Sequence, residues 1–239
     1  MKKNIVLKLV TLLFLFIYTF FPVNVVGVEY TLGISERDSF IWEIEKLDDD
    51  LYEEIFLTDA DFDEGYQSKI EIEYIDEISE KWRVRYYIWD YTSDLRDFED
   101  RADDYKIRNV YKDPKDQADK INDLEAFTEM WIVPNPFVEY IEEFRDEYES
   151  DFFKVSVEDD TLRMKPVVEN IQYEIEITYG EEGVANVIEY IDVDGEIFVR
   201  IILLEKTILG YDILFILGSI LLGGVVSVFF WKRKLNINI

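Results

Sequence analysis

The chain has 239 residues, of which 53 are acidic and 25 basic, with no Cys, no His and an aromatic share of 16%. Without Cys or His there is no disulfide framework, thiol nucleophile, imidazole base or ordinary zinc site. A hydrophobic share of 49%, including 5 Trp, 16 Tyr and 17 Phe, belongs to a folded protein rather than a disordered one.

Lys2, Lys3 and Lys8 precede an apolar run over 9–21, the basic-then-apolar order of a secretory signal. Val25, Val26 and Gly27 stand where a signal peptidase reads, so residues 1–27 are expected to be removed after Gly27. An uncleaved anchor is the alternative. Both versions put the chain from Val28 onward outside the cytosol.

Strict alternation comes next. Phe40, Trp42 and Ile44 face one way and Ile41, Glu43 and Glu45 the other; Ile70, Ile72 and Tyr74 alternate with Glu71 and Glu73. Trp82, Val84, Tyr86 and Ile88 repeat the pattern against Arg83 and Arg85, as do Ile171, Tyr173, Ile175 and Ile177 against Glu174 and Glu176. Such segments are half-buried strands, and their one-sidedness predicts an antiparallel sheet. Pairing of 70–75 with 82–88 would bring Glu71 and Glu73 near Arg83 and Arg85. Between the first two strands, Asp59, Asp61 and Asp63 with Glu64 and Gly65 resemble the opening of a calcium loop. Glu64 and Ile70 stand where an EF-hand wants Gly and Glu, so a weakly bound Ca2+ competes with a solvated acidic loop. Asp48 to Asp50 and Glu158 to Asp160 read as charged turns.

A helix is expected over 136–148, with Asn135 as N-cap, Pro136 at the first position and Phe137, Tyr140, Ile141, Phe144 and Tyr148 on one face. A second, over 94–105, would use Ser93 as cap and Leu95, Phe98, Ala102 and Tyr105 as its stripe; 115–124 is a third, polar candidate. The Tyr179 to Gly183 turn and the Asp194-Gly195 hairpin signal then link the last three strands into a meander.

Residues 213–231 are 19 in number and carry no formal charge, enough for a helix to cross the ~30 Å hydrocarbon core. Lys232, Arg233 and Lys234 come next as a stop-transfer cluster and place the tail inside. Ser219, Gly223 and Ser227 form a small-residue stripe through which two such helices could pair as a homodimer. The chain thus divides into a signal at 1–27, an external domain at 28–207, a membrane helix at 208–231 and a basic tail at 232–239. The external part holds 19 basic residues against 52 acidic ones, a net charge of −33 that repels nucleic acid.

Trp42, Trp82 and Tyr86 on the dry face of the sheet, with Phe137, Tyr140 and Phe144 above them, could hold an apolar ligand; ordinary core packing is the competing account. No phosphate loop, Gly-x-Ser-x-Gly elbow or Ser-x-x-Lys nucleophile occurs. A carboxylate pair acting as a hydrolase is therefore a distant alternative, and a non-enzyme is expected.

Met130-Trp131-Ile132-Val133-Pro134-Asn135-Pro136, the Tyr-Gly-Glu-Glu-Gly turn at 179–183 and Leu209-Gly210-Tyr211-Asp212 together resemble archaeal surface proteins of the choice-of-anchor domain type. Leu209 stands where Pro is common in such anchors. The resemblance implies export, retention at the cell membrane by a C-terminal helix, and no catalytic residues. More loosely, the layout is similar to the half-barrel of lipoprotein carriers. The expected fold is α+β: a curved antiparallel sheet of about seven to nine strands, helices packed on its apolar face, and a C-terminal transmembrane helix. The expected role is non-catalytic binding or envelope structure at the surface, with carriage or sensing of a hydrophobic ligand as the alternative.

Overall fold

The computed structural model describes residues 28–168 and 171–207. Alternation becomes strand wherever the sequence displays it: β1 (Ser39–Leu47), β2 (Gln67–Ile78), β3 (Lys81–Thr92) and β7 (Tyr173–Tyr179) each bury one face. β4 (Asp104–Tyr111), β5 (Phe153–Glu158), β6 (Thr161–Pro166), β8 (Ala185–Asp192) and β9 (Ile197–Thr207) complete a nine-stranded sheet. Every pairing is antiparallel, in the order β4-β3-β2-β1-β9-β8-β7-β6-β5. Two meanders result, β1 to β4 and β5 to β9. The ladder from Ser39↔Thr207 to Leu47↔Val199 joins them.

Helices lie between these strands. α1 (Asp49–Phe56) follows β1, and α2 (Pro114–Ala118), α3 (Leu124–Thr128), a 3-10 turn at Glu129–Trp131 and α4 (Phe137–Glu147) occupy the crossover from β4 to β5. Tyr140, Ile141 and Phe144 of α4 are buried against the inner face of the sheet, as the 3.6 periodicity requires. Trp131 sits at the centre of this contact. Its ring meets Trp42 edge-on at 5.7 Å, Tyr86 at 5.4 Å and Phe40 at 6.3 Å. Trp42 donates from Nε1 to the Ala185 carbonyl at 3.1 Å, so the one polar atom of that ring is satisfied where it is buried.

Four local expectations are corrected. Over 94–105 the chain makes only a 3-10 turn, Leu95–Glu99, capped by Asp94, and then turns into β4. The open edge of β3 supplies hydrogen bonds that outweigh the helical stripe, pairing Tyr105 with Tyr87. Asn135 does not cap α4; its backbone bridges to Thr31, and Pro136 takes the N-cap position instead. The acidic run after β1 is no simple turn, because the Asp48 carboxylate accepts from Leu51 N at 3.1 Å and starts α1. A bulge between Ile72 and Tyr74 reverses the facing of β2, so Ile75 turns inward and Tyr74 outward.

The outer face carries the charge. Arg85 pairs with Glu73 at 2.6 Å, Arg83 with Asp76 at 2.5 Å and Lys69 with Glu71 at 3.1 Å. Of the expected neighbours only Glu73 and Arg85 pair; Glu71 stands opposite Tyr87, and Arg83 opposite Asp76. Among the described residues no helix is long and apolar enough to cross a membrane. The expected leader at 1–27, the span at 213–231 with Ser219, Gly223 and Ser227, and the cluster Lys232, Arg233 and Lys234 lie outside the described residues.

Replacing Trp131 by Ala removes the ring that fills the space between Phe40, Trp42 and Tyr86, and is expected to cost about 3–5 kcal/mol. A urea unfolding curve whose midpoint matched the parent would contradict this account of the core.

Candidate functional site

Trp42, Trp82, Tyr86, Tyr140 and Phe144 are all buried in one continuous core, and Phe137 packs on its margin with its ring 6.1 Å from Tyr179. Five of these six side chains are members of the core and the sixth flanks it. The aromatic cavity of the domain lies elsewhere on the inner face, under α1 and α3.

Its floor is built by alternation on three strands: Tyr173 and Ile175 of β7, Tyr190 of β8, Val199 and Ile201 of β9. Register fixes this set, because Ile175 stands opposite Tyr190 and Tyr190 opposite Val199. α1 contributes Tyr52 and Phe56 one helical turn apart, with rings 4.6 Å from one another. Phe62 from the loop after α1 and Tyr91 at the end of β3 form a third side, and Leu124, Glu125 and Thr128 of α3 a fourth. The volume of this half-open cavity is about 420 Å³.

The six rings form a chain of contacts. Tyr91 meets Phe62 at 5.3 Å, Phe62 meets Tyr52 at 5.7 Å, Phe56 meets Tyr173 at 5.1 Å, and Tyr173 stacks on Tyr190 at 6.0 Å. Behind them Phe198 is fully buried and touches Phe56, Tyr173 and Tyr190, which holds the wall in place.

The electrostatics have one sign. Burial raises the phenol pKa of Tyr52, Tyr91, Tyr173 and Tyr190 above the ordinary value. Asp61 adds to the shift at Tyr52, and Asp123 and Glu125 add to it at Tyr173. Tyr190 is raised further by its neighbours Tyr91, Tyr173 and Tyr52. All four phenols are therefore neutral at physiological pH. Glu125 is the single charged residue in the lining.

Asp59, Asp61 and Asp63 do not converge, and among the described residues no group of three or more acidic side chains is placed to hold a metal. Their loop instead delivers Phe62 to the cavity and brings Asp61 within electrostatic reach of Tyr52. A larger depression of about 660 Å³ lies on the outer face beside β3 and β4, lined by residues of both signs. Lys69 already stands over its Trp89 ring at 4.3 Å. The carboxylates Glu174 and Glu176 are the most enclosed pair on that face, but Arg163 binds Glu176 and Lys165 approaches Glu174 at 3.1 Å, which makes them members of an ion-pair ladder.

One residue missed by sequence reasoning is Arg108. β4 turns it inward, where it is only 6% exposed, and its Nε and Nη1 find no hydrogen-bond partner. Tyr86, Tyr140 and Tyr179 surround it, with Glu129 near, and burial lowers the guanidinium pKa. Arg108 stands just beyond the helix expected over 94–105, where no alternation in the sequence marks a strand with an inward basic residue.

Two of the three segments carrying the sequence resemblance, 130–136 and 179–183, meet in space, and the third, 209–212, lies outside the described residues. Val133 N donates to Gly183 O at 2.8 Å, and Ile132 bridges Val184. Gly183 has φ +72 and lies against the Val133 carbonyl, so no side chain fits there.

An unfolded tyrosine ionises near pH 10, and the cavity tyrosines ionise above that. The stability they contribute is whole below pH 10 and is lost as pH rises through the raised folded values. An alkaline titration is expected to show their tyrosinate absorbance appearing together with loss of the circular dichroism signal. Replacing Arg108 by Met removes an unpaired buried charge, and is expected to leave stability unchanged or raise it by about 1–4 kcal/mol, read from the urea midpoint. Neither a scan against protein-family models nor a search of curated proteins finds a match to this chain.

Proposed function

We propose that residues 28–207 form a non-catalytic binding module for a small organic molecule, exported by the leader and displayed outside the cell membrane by the C-terminal span. The aromatic cavity between sheet and helices carries this reading. Its ~420 Å³ falls inside the ~300–1,000 Å³ typical of ligand sites, and half-buried rings form its walls. We read the sheet as curved around the site, because register shifts in β1, β2, β7 and β8 bend the strands that carry them.

The surface location is supported by the basic-then-apolar start, the uncharged stretch at 213–231 with its basic tail, and the resemblance to anchored archaeal surface proteins. A binding role without chemistry is supported by the absence of Cys and His from the sequence and by the enclosure of Glu174 and Glu176 among cations.

Ligand-observed NMR of the full chain in maltoside micelles, with a library of small organic molecules, is expected to yield binders. Those binders should be lost in Ile201→Phe, which fills the cavity floor, while circular dichroism stays unchanged. A library without a single cavity-dependent binder sinks the reading. Separately, protease added to intact cells should cut within 28–207 and spare the basic tail.

A further inference from the structure

The identity of the occupant can be read from what the chain does with its other aromatic faces. Elsewhere in the domain rings are met by the chain's own cations: Lys69 over Trp89 and Arg85 over Tyr105 at 4.7 Å on the outer face, and Lys112 over the core ring of Trp82 at 5.0 Å. In the core, Arg108 serves Tyr86, Tyr140 and Tyr179. Among the described residues no Lys or Arg stands over any of the six rings of the cavity, and none lines it. Every formal charge that registers on its tyrosines is negative, from Asp61, Asp123 and Glu125.

We propose that the cavity binds an alkylated ammonium group, the trimethylammonium of choline being the type. This inference rests on the binding reading above and names its ligand class. The π faces of Tyr52, Phe56, Tyr173 and Tyr190 attract positive charge by their quadrupoles. Glu125 at the α3 wall supplies a counter-charge. An anionic ligand meets acids on two sides and a net charge of −33 around the whole domain. A compact, strongly hydrated ion such as sodium or a bare ammonium is excluded for another reason. The walls are mostly carbon and cannot replace its water, whereas methyl groups on the nitrogen need no hydrogen bonds.

Isothermal titration of the full chain in maltoside micelles tests this, with choline as one probe and 3,3-dimethylbutanol, its uncharged carbon isostere, as the other. Choline is expected to bind at least about tenfold more tightly than the isostere. Glu125→Gln, an exposed change on α3, should weaken choline alone. Phe56→Leu keeps an apolar wall without a π face, and should weaken choline about tenfold while leaving the isostere unchanged. Equal binding of the two probes overturns the cation and leaves an apolar site; binding of neither overturns the site itself. Glycerophosphocholine, the soluble headgroup of a choline lipid, separates the sources. Tighter binding than choline assigns the group to a headgroup and weaker binding to a free solute, and both support the cation.

Discussion

The main-chain ladder between β1 and β9 holds the two meanders together. Without it, β1 to β4 and β5 to β9 would be separate sheets. The partners are far apart in sequence, Ser39 with Thr207 and Ile44 with Ile201, so the loop-closure entropy of nearly the whole domain is spent on this contact. The same ladder positions the cavity. β9 carries Val199 and Ile201 into its floor, and Asp48 N donates to Phe198 O at 2.8 Å, which seats the start of α1 beside the wall it completes.

Charge is sorted by location as well as by sign. The outer face disperses acids among Arg and Lys in a ladder of exposed pairs, each worth ~0–1 kcal/mol, so their purpose is not chiefly stability. The inner face holds two groups of tyrosines. One gathers about the buried guanidinium of Arg108; the other gathers about the cavity, where carboxylates are the only charges felt. A single inner face thus holds one group of tyrosines beside a cation and another beside carboxylates.

How much of this was legible in sequence depends on distance along the chain. Period-two alternation gave β1, β2, β3 and β7 with their inward residues except Tyr74, which the bulge in β2 turns outward, and Asp194-Gly195 gave the β8–β9 hairpin, Gly195 having φ +87. Local signals failed where a partner decided the conformation: the stripe Leu95, Phe98, Ala102 and Tyr105 is a fair helix, yet the β3 edge draws Tyr105 into a strand. Strand order was hidden because meander logic pairs neighbours, and β1 with β9 are not neighbours. The aromatic residues chosen from sequence proved to be core, whereas the cavity rings come from α1, a loop and three strands. Tyr91 stands out of phase with Trp82, Val84, Tyr86 and Ile88, next to the register shift between Lys69↔Trp89 and Gln67↔Thr92, and Phe62 comes from a loop, so no spacing in the sequence marks the rings as a set.

Ser39 and Thr207 are direct partners, so the chain enters and leaves the sheet at one pole. The cavity lies at the other, where Val199 stands opposite Leu47. Eight residues of extended strand separate Val199 from Thr207, about 26 Å at ~3.3 Å per residue. The cavity and the last described residue of β9 therefore occupy opposite ends of one strand, with the β1–β9 hydrogen bonds running between them.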